Sequence, residues 1–581
     1  MADKNRDVLD MLRELIELTT LDEGNVQSFR ARAYESALRA VESHAGDIGA
    51  VDLAALQKID GIGKSTAAKI RELLETGKVE KLEQLRTTYP AGVVALMRLP
   101  GLGPKAVQKL RAELGVESLE DLRAALAAHR LRDLRGFGAR SEEKLARAIE
   151  RLGLAGGERR TPIAAALPVA ERVVAELAEV PGVVRAAWCG SLRRYAETIG
   201  DLDVIVAAEQ GEPVMERFVA MSLVDRVIAR GDTKTSVVSR KGLQIDLRVV
   251  RPHQIGAAMM YFTGSKAHNI KLRHRAMTRG LLLNEYGLEE EGSGRVLASE
   301  TEEDVYRALG LPWIHPVLRE DMGEIELAER GELPRAIEPT DIAGDLHVHT
   351  KLSGDGRSSL EDIVGGARAR GYRFIAITDH AEGLPLTGVG REALLDQRLR
   401  LTALQRELGD DLRLLHGIEL NIGPEGELDY DLEFRRQFDW CLASVHDHFD
   451  LDRGAQTRRI VAAMRDPTVN MIGHLSARQI GKRPPIDLEA DEIIEAAAAT
   501  GTALEVNGSL PRLDASVDVL RRARGRGVTF CFTSDAHHTT ELDRVRHACQ
   551  HALRAWVDPD SVANTWPRDR FLAWVRQKRA A

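Results

Sequence analysis

Apolar residues near the start of the chain recur at helical spacing and are interrupted by paired glycines. Val8, Leu12 and Leu15 fall on one face of a helix, and leucine-rich runs of the same kind follow. Three Gly-x-Gly turns break these runs: Gly61-Ile62-Gly63, Gly101-Leu102-Gly103 and Gly136-Phe137-Gly138. Because glycine permits the tight turn between two closely packed helices, the pattern predicts an all-helical region of repeated helix-hairpin-helix units.

After Gly156-Gly157 the spacing becomes that of strands. Residues 183–190 and 201–207 are predicted strands around a Gly-Ser turn, and 244–250 alternates between polar and apolar positions. Helical spacing returns near 264–283. The segment 312–343 contains prolines and acidic residues and is typical of a linker.

From Gly344 onward, short apolar strands alternate with helices. The predicted strands are 345–349, 373–378, 413–419, 439–445, 470–474, 503–507 and 528–533. This βα rhythm predicts a parallel, barrel-like domain.

Size and composition place the chain in a broad class. Its 581 residues exceed one ordinary core, so we expect three or more structural units. The 44% apolar and 29% charged residues are ordinary for a soluble globular protein. Neither a bilayer-spanning run nor a signal peptide is found, and the four cysteines form no close pair, so we expect a cytoplasmic protein without a disulfide framework or zinc knuckle.

Charge is distributed unevenly along the chain. The net charge is −8, yet residues 51–300 hold 39 Lys/Arg against 32 Asp/Glu, and the remainder holds 42 against 57. Within the first block, 251–284 carries six Lys/Arg and no Asp/Glu. A local basic stripe favours phosphate binding, although a solvated helix face would carry the same charges.

The Gly-x-Gly turns suggest how a nucleic acid would be held. Backbone amides at the start of the following helix can bind a phosphate oxygen, and such a contact grips DNA without reading its sequence. A single Gly-x-Gly is usually a plain turn. Three in one context favour DNA-backbone binding, with a purely structural role still open for one of them.

Carboxylates on the predicted strands form a first chemical centre. Gly190-Ser191 is followed, after a short gap, by Gly200-Asp201-Leu202-Asp203. Asp201 and Asp203 point to one side of a strand and repel each other unless a cation such as Mg²⁺ lies between them. Asp246, on another strand, can complete a site whose two metals would activate a 3′-hydroxyl and stabilise the leaving pyrophosphate.

Histidines and carboxylates at the predicted strand ends form a second centre. They occur in Asp345-Leu346-His347-Val348-His349, at Asp355, in Thr378-Asp379-His380, at Glu419, in Ser444-Val445-His446, in Gly473-His474 and in Ser534-Asp535-Ala536-His537. A barrel gathers its strand ends at one face. A lone histidine is usually a surface or core residue, but this repeated placement predicts two or three transition metals held by nitrogen and oxygen ligands.

The first centre resembles that of the family X DNA polymerases. Tyr261-Phe262-Thr263-Gly264-Ser265 matches the family's sugar-sensing segment, and Asn284-Glu285-Tyr286 matches a further one. The resemblance implies catalysis at Asp201, Asp203 and Asp246, with nucleotide contacts from Gly190, Ser191, Arg194, Gly200, Tyr261, Phe262, Gly264 and Asn269. It implies that Tyr261 and Phe262 crowd a ribose 2′-hydroxyl, with simple core packing still open for one ring.

The resemblance extends to the N-terminus. Gly61, Gly63 and Lys69 align with the family's lyase hairpin, in which the matching lysine forms a Schiff base with a deoxyribose phosphate. Ser65 stands where the family has a phosphate-binding lysine, so Lys69 is at least as well interpreted as a DNA-backbone contact. The implied DNA-binding residues are Gly61, Gly63, Lys69, Gly101, Gly103, Gly136, Gly138 and Arg273.

The second centre resembles the PHP (polymerase and histidinol phosphatase) domain over essentially all of 344–581. The implied metal ligands are His347, His349, Asp355, His380, Glu419, His446, His474, Asp535 and His537. His416, His448 and His538 do not fall on the motif. The implied chemistry is phosphodiester hydrolysis, as a manganese-favoured 3′→5′ exonuclease, with abasic-site (AP endonuclease) cleavage as a further activity of the group.

Together these resemblances predict a multidomain α+β and α/β fold: helical helix-hairpin-helix N-terminal domains, a nucleotidyltransferase palm with a mixed β-sheet, and a distorted (β/α)7 PHP barrel. The predicted domains are 1–88 (lyase-like, helical), 89–155 (helix-hairpin-helix), 156–253 (palm), 254–320 (nascent-base-pair subdomain), 321–343 (linker) and 344–581 (PHP). We expect a gap-filling repair polymerase with an exonuclease. Its expected cofactors are Mg²⁺ or Mn²⁺ at the polymerase site and two or three divalent metals, Mn²⁺ or Zn²⁺, at the PHP site. Its expected partners are gapped or primed DNA and dNTPs, with no membrane, and the chain is expected to be a monomer.

Three other interpretations explain less. A DNA-binding scaffold with a structural PHP domain predicts missing ligands, and none is missing. A nucleotidyltransferase for RNA or a small molecule would not need three helix-hairpin-helix signals or the Tyr261-Phe262 pair. A stand-alone sugar-phosphate phosphatase explains 344–581 only.

Overall fold

The computed structural model describes residues 4–580 except 26–27, 43, 45–46, 98, 100–101, 135 and 152–159. Gly101 and the predicted domain boundary at 155–156 lie outside the described residues. The chain divides into two compact units, Met1–Gly157 with Gly481–Pro484, and Glu158–Ile480 with Pro485–Ala581. Among the described residues, every helix is too short or too polar to cross a membrane.

The first unit is helical, as the spacing of apolar residues predicted. Its helices are α1 (Lys4–Glu23), α2 (Phe29–Glu42), α3 (Leu53–Leu56), α4 (Lys64–Thr76), α5 (Glu80–Thr88), α6 (Ala91–Leu96), α7 (Pro104–Leu114), α8 (Leu119–Ala127) and α9 (Ala139–Arg151). Val8, Leu12 and Leu15 are fully buried in its core. Ile62 and Leu102, the central residues of two Gly-x-Gly turns, point into the same core, which anchors each turn beneath the helix that follows.

A mixed five-stranded sheet dominates the start of the second unit. The first elements of the second unit are β1 (Thr161–Pro162), α10 (Ile163–Ala178), β2 (Val183–Trp188), α11 (Gly190–Arg193), β3 (Thr198–Ile199), β4 (Asp201–Ala208), α12 (Glu212–Val219), β5 (Val224–Arg230), β6 (Lys234–Ser239) and β7 (Gln244–Val250). The strand order is β2-β4-β7-β6-β5, and only β4 and β7 run parallel. The predicted strand 183–190 ends at Trp188, because Gly190 begins a short helix.

A smaller layer of helices and a three-stranded antiparallel sheet follows. It comprises α13 (Ile255–Thr263), α14 (Lys266–Met277), β8 (Leu281–Leu283), β9 (Leu288–Glu290), β10 (Val296–Ala298), α15 (Glu302–Ala308) and α16 (Glu324–Arg330). The segment 312–343, interpreted from sequence as a linker, is folded: it contains α16 and buries Leu318, Ile325, Ile337 and Ile342.

The remainder forms a seven-stranded parallel barrel surrounded by helices. Its elements are β11 (Gly344–Asp345), α17 (Leu360–Ala369), β12 (Phe374–Ile377), α18 (Arg391–Leu408), β13 (Arg413–Asn421), α19 (Leu432–Arg435), β14 (Trp440–Ser444), α20 (Arg453–Arg465), β15 (Val469–Ile472), α21 (Ala490–Thr500), β16 (Ala503–Asn507), α22 (Val517–Ala523), β17 (Phe530–Thr533), α23 (Val545–Arg554) and α24 (Arg568–Ala580). The strands are neighbours in sequence order, and a parallel bridge between Val348 and Ala536 links the two ends. A strand lies at each of the seven predicted places, although the first, predicted at 345–349, is only Gly344–Asp345.

Aromatic side chains fill the amino end of the barrel. Phe374 and Trp440 point inward, and Phe571 of α24 stacks on Phe374 with ring centroids 4.1 Å apart. Helix α24 therefore closes this end of the barrel. The polar side chains gather at the opposite, carboxyl ends of the strands.

Candidate active sites

The three predicted polymerase carboxylates lie on two neighbouring strands. The parallel register of β4 and β7 pairs Asp203 with Asp246 and Asp201 with Gln244. Since alternate residues of a strand share a face, Asp201 and Asp203 lie on the same side, next to Asp246. The strands that separate β4 from β7 in sequence lie elsewhere in the sheet, so the fold itself brings the three groups together.

The electrostatics of these carboxylates fit a divalent cation. Burial, together with the charges of Asp201 and Asp246, raises the pKa of Asp203 to about 7. Burial opposes ionisation of Asp246 too, but hydrogen bonds, chiefly from Lys234 (Nζ–Oδ2 2.9 Å) and Gln244 (Nε2–Oδ1 3.0 Å), hold its pKa below the usual value. Crowded carboxylates of this kind are relieved by a cation with oxygen ligands.

Gly190 lies directly against Asp203. Its φ of +63° is in the left-handed region, and a Cβ at this position would collide with Oδ2 of Asp203. Only glycine therefore lets the turn pass this close to the carboxylate. Ser191 follows in α11, and Gly200 immediately precedes Asp201.

Arg194 connects the two segments predicted to contact nucleotide. Its Nη1 donates to the carbonyl of Thr263, beside Gly264, and its Nε donates to Oε1 of Glu320 at 3.0 Å. Asn269 donates from Nδ2 to the carbonyl of Tyr261 at 2.7 Å, which ties α14 to the Tyr261-Phe262 pair.

The two rings of that pair are both half-buried and meet edge to face, with centroids 5.1 Å apart. Arg248 lies over the Phe262 ring at 4.6 Å from its centroid. Phe262 thus packs against β7. Among the described residues, the Tyr261 ring contacts no ring or cation other than Phe262.

A buried charge cluster that the sequence did not reveal supports this region. Glu302 accepts hydrogen bonds from Arg193 (Nη2–Oε2 2.6 Å) and Arg319 (Nη1–Oε1 2.7 Å). Burial opposes ionisation of Glu302, but the two guanidinium groups lower its pKa to about 2. The cluster joins α11, which carries Ser191, to α15.

The basic stripe at 251–284 is partly neutralised by local ion pairs. Lys271 pairs with Asp321 (2.6 Å), and Arg275 pairs with Glu329. Within the described residues, Lys266 and Arg273 are exposed and have no ion-pair partner. The exposure of Arg273 is compatible with a DNA contact, which stays a prediction.

In the first unit, the glycine turns lie at helix starts as predicted. Gly63 is the N-cap of α4 and Gly103 is the N-cap of α7, and a Cβ at either position, or at Gly138, would meet nothing within 4 Å. Gly61 and Gly136 have left-handed φ angles of +89° and +94°. Each helix start therefore leaves room for a phosphate oxygen.

Lys69 lies in α4, and its ammonium donates to Oγ of Ser65 at 2.9 Å. It also lies 5.8 Å from the centroid of the Tyr34 ring. Partial burial, with the nearby charges of Lys81 and Arg30, lowers the pKa of Lys69.

The nine predicted PHP ligands converge at the carboxyl end of the barrel. Their ligand atoms form four overlapping groups, each within 4.8 Å: His349, Asp355, His380 and His537; His347, His349 and Asp535; His347, Glu419 and His474; His380, Glu419 and His446. Glu419 belongs to two groups and lies 2.8 Å from Nδ1 of His380 and 3.1 Å from Nε2 of His474.

These groups fit several divalent metals. The buried ring nitrogens His347 Nε2 and His349 Nε2 have no hydrogen-bond partner among the described residues, nor does Oε2 of Glu419. Burial, and after it the charges of the neighbouring His537 and His380, lowers the pKa of His349 to about 3, so the His349 ring is neutral. Burial opposes ionisation of Glu419, but the surrounding histidines hold its pKa far below the usual value. Imidazole nitrogens grouped around a carboxylate match the ligand preference of divalent transition metals.

Side chains behind the ligands orient them, and the sequence motifs did not identify these supports. Oε1 of Glu505 lies 2.6 Å from Nδ1 of His347, and Thr533 donates to the same oxygen at 2.6 Å. Oδ1 of Asn421 lies 2.6 Å from Nδ1 of His446. Each contact leaves the Nε2 of the ring directed at the centre. Glu505 lies on the predicted strand 503–507, whereas Asn421 lies two residues beyond the predicted strand 413–419, on the observed end of β13. Only the polar character of these residues beside apolar neighbours could have marked them.

The histidines set aside on sequence grounds lie apart from the metal groups. His416 packs on Phe438 with ring centroids 4.6 Å apart. His448 is exposed and pairs with Asp447 at 3.0 Å, and the half-buried His538 lies beside Thr540 (Nδ1–Oγ1 2.8 Å).

Four family models match the chain in the order of its predicted domains. They are a helix-hairpin-helix domain at 3–79, a SAM-like helix-hairpin-helix tandem at 93–151, the DNA polymerase beta thumb at 258–320 and the PHP domain at 345–509.

Curated proteins match the whole chain and parts of it. The DNA polymerase/3′-5′ exonuclease PolX of Bacillus subtilis is 35% identical over 564 residues, which cover 96% of this chain and 97% of that protein. Rat DNA polymerase lambda is 28% identical over 51% of this chain and 54% of its own length. A protein described as a probable phosphatase of Vibrio parahaemolyticus is 26% identical over 40% of this chain and 94% of its own length.

Proposed function

This chain belongs to the family X DNA polymerases that carry a C-terminal PHP domain, and we propose that its carboxylate centre adds nucleotides while its histidine centre removes them. It is a DNA-directed DNA polymerase with a 3′→5′ exonuclease, and it fills short gaps in DNA repair. The observation that carries the assignment of the two centres is the convergence of Asp201, Asp203 and Asp246 on one sheet face, separate from nine ligands at one barrel end.

The polymerase centre would work through Asp201, Asp203 and Asp246, which would hold Mg²⁺ or Mn²⁺. A divalent pair bound there would lower the pKa of the primer 3′-hydroxyl and neutralise charge on the phosphates. Gly190 lets the turn pass close beside the Asp203 carboxylate, and Gly200 immediately precedes Asp201. Ser191 and Arg194 would bind the triphosphate through a hydroxyl and a guanidinium.

The segment around α13 and α14 would select the sugar and hold the DNA. Tyr261 is the better candidate to crowd a ribose 2′-hydroxyl, since Phe262 packs under Arg248. Gly264 and Asn269 keep this segment in place beside Arg194, and Arg273 is exposed for a template contact.

The histidine centre would hydrolyse the terminal phosphodiester. Its nine ligands, named above, would hold two or three divalent ions, Mn²⁺ or Zn²⁺, and such ions would supply an activated water and charge stabilisation for phosphodiester hydrolysis. Glu505 and Asn421 would fix the imidazoles of His347 and His446 so that each presents Nε2.

The helix-hairpin-helix turns would hold DNA by its backbone. Gly61, Gly63, Gly103, Gly136 and Gly138 place amides at helix starts, and we assign Lys69 to the same role because Ser65 offers no second cation beside it. The six domains predicted from the sequence remain our proposal, as do a cytoplasmic location and a monomeric chain.

A primer assay on one-nucleotide gapped DNA tests whether nucleotide addition and nucleotide removal occur at separate centres. With Mn²⁺ and dNTPs the wild type extends the primer, and without dNTPs it shortens it. Asp201→Ala with Asp203→Ala should abolish extension and keep shortening, and His347→Ala with Glu419→Ala should do the reverse. A folded double variant that lost both activities would refute separate centres.

A further inference from the structure

The PHP barrel contacts the loop that joins the two halves of the polymerase centre. Residues 194–200, a loop that includes the two-residue strand β3, connect α11, which carries Ser191, to β4, which begins at Asp201. Three barrel side chains reach this loop. Arg554 Nη1 donates to the carbonyl of Arg194 at 2.6 Å, His547 Nδ1 pairs with the hydroxyl of Tyr195, and Arg478 Nη2 lies 2.8 Å from Oε1 of Glu197.

These contacts are largely shielded from water. The side chains of Arg554 and Arg478 are 17% and 10% exposed. Burial opposes ionisation of Glu197, yet Arg478 holds its pKa below the usual value. A shielded ion pair resists screening better than one at the surface, and breaking it leaves an uncompensated charge.

Glu320 links Arg554 to the side chain of Arg194. Its Oε1 accepts from Arg194 Nε at 3.0 Å and from Arg554 Nη1 at 2.7 Å. One carboxylate oxygen is thus shared between a barrel guanidinium and the guanidinium expected to bind triphosphate. Arg554 also donates to the backbone carbonyl of Arg194, so it restrains both the backbone and, through Glu320, the side chain of that residue.

We propose that the PHP domain is a structural part of the polymerase centre, in which Arg554 is a positioning residue that holds Arg194 ready for the dNTP triphosphate. The inference rests on the proposed role of Arg194. Without Arg554, Glu320 would pair with Arg194 alone and draw its guanidinium away from an incoming phosphate. The carbonyl of Arg194 would also lose its donor, so the loop would be less constrained.

The test is gap-filling kinetics with full-length protein on one-nucleotide gapped DNA, with the KM for the dNTP and kcat measured separately. The variants are Arg554→Ala, Arg554→Gln, Arg554→Lys and Arg194→Ala. Arg546→Ala is the matched control, because Arg546 reaches from the same helix to Glu171 at 3.7 Å without touching Arg194. Exonuclease rate without dNTPs and thermal stability are recorded for each protein.

We expect Arg554→Ala to raise the KM for the dNTP at least about fivefold, with exonuclease activity unchanged. Arg554→Lys should recover part of the loss, and Arg546→Ala should match the wild type. Arg554→Gln keeps a polar but shorter and uncharged side chain, and it replaces the alanine variant if that protein does not fold.

Two results would overturn the inference in distinguishable ways. If Arg194→Ala raises the KM while Arg554→Ala and Arg554→Gln do not, Arg554 does not position Arg194. If Arg194→Ala itself leaves the KM unchanged, the proposed nucleotide contact fails, and the inference fails with it.

Discussion

At the scale of single residues, Gly190 is the position where backbone conformation and chemistry meet. We expect Gly190→Ala to lower the rate of nucleotide addition at least about 100-fold, because the new methyl group must displace the Asp203 carboxylate by a distance that misaligns the reaction. Exonuclease activity should be unaffected. The measurement is single-turnover gap filling.

Gly182→Ala is the matched control for this substitution. Gly182 also has a left-handed φ, +86°, but a Cβ there meets nothing within 4 Å. Both variants carry backbone strain of the same kind, about 1–2 kcal/mol for an alanine with left-handed φ. If they lost the same activity, strain rather than the clash with Asp203 would be responsible.

The buried carboxylate of Glu302 gives a second residue-scale prediction. Its pKa is about 2 in the folded protein against 4.5 ordinarily, so its ionised form stabilises the fold by about 3 kcal/mol at neutral pH. Because the folded pKa is the lower one, this stability is complete above pH 4.5 and is lost as the pH falls towards 2. We expect Glu302→Gln to destabilise the protein by about that amount at pH 7 and by roughly half as much at pH 3.

Urea unfolding at several pH values measures this difference. The exposed neighbour Glu303 serves as the control, and Glu303→Gln should be close to neutral throughout. A pH-independent cost of Glu302→Gln would show that lost packing, not the ion cluster, causes it.

At the scale of elements, the sequence predicted where the strands lie. It did not predict the residues at which they end, or the buried contacts between polar side chains. Alternation and apolar runs located β4, β7 and the barrel strands. The predicted strand 345–349 shortens to Gly344–Asp345 plus a bridge at Val348, because His347 and His349 turn toward the metal groups instead of extending the ladder.

The segment 312–343 shows why periodicity alone cannot identify a linker. Its acidic residues suggested exposure, but Glu324 is fully buried and accepts hydrogen bonds from the amides of Asp321 and Met322. His268 of α14 lies 2.6 Å from the same carboxylate. A long-range partner of this kind leaves no local signal in the sequence, and the same holds for the Glu302 cluster.

Helix α24 is the element whose contribution is easiest to isolate. Phe571 stacks on Phe374 and fills the amino end of the barrel. We expect Phe571→Ala to lower the free energy of unfolding by about 3–5 kcal/mol through lost burial and a residual cavity. Chemical denaturation measures it. Gln577→Ala, on an exposed position of the same helix, should change stability by less than about 0.5 kcal/mol, and equal effects would contradict the packing argument.

At the scale of the whole molecule, the second unit carries both centres and the side chains that join them. The carboxylate site needs two strands that are distant in sequence, and the histidine site needs nearly every strand of the barrel. The residue types at both sites were predictable because their motifs are local. The register of β4 against β7 and the contacts of Arg554 and Arg478 were not, because they depend on how folded elements pack.

The histidine centre should also stabilise the folded chain when metal binds. A ligand that binds only the native state adds stability by mass action, about 2.7 kcal/mol at a concentration one hundred times its dissociation constant. We therefore expect Mn²⁺ to raise the melting temperature of chelator-treated protein, and Asp201→Ala with Asp203→Ala to keep most of that rise. Glu419→Ala should lose it, since Glu419 belongs to two of the four ligand groups. A rise of equal size in Glu419→Ala would mean that Mn²⁺ stabilises the chain at some other place.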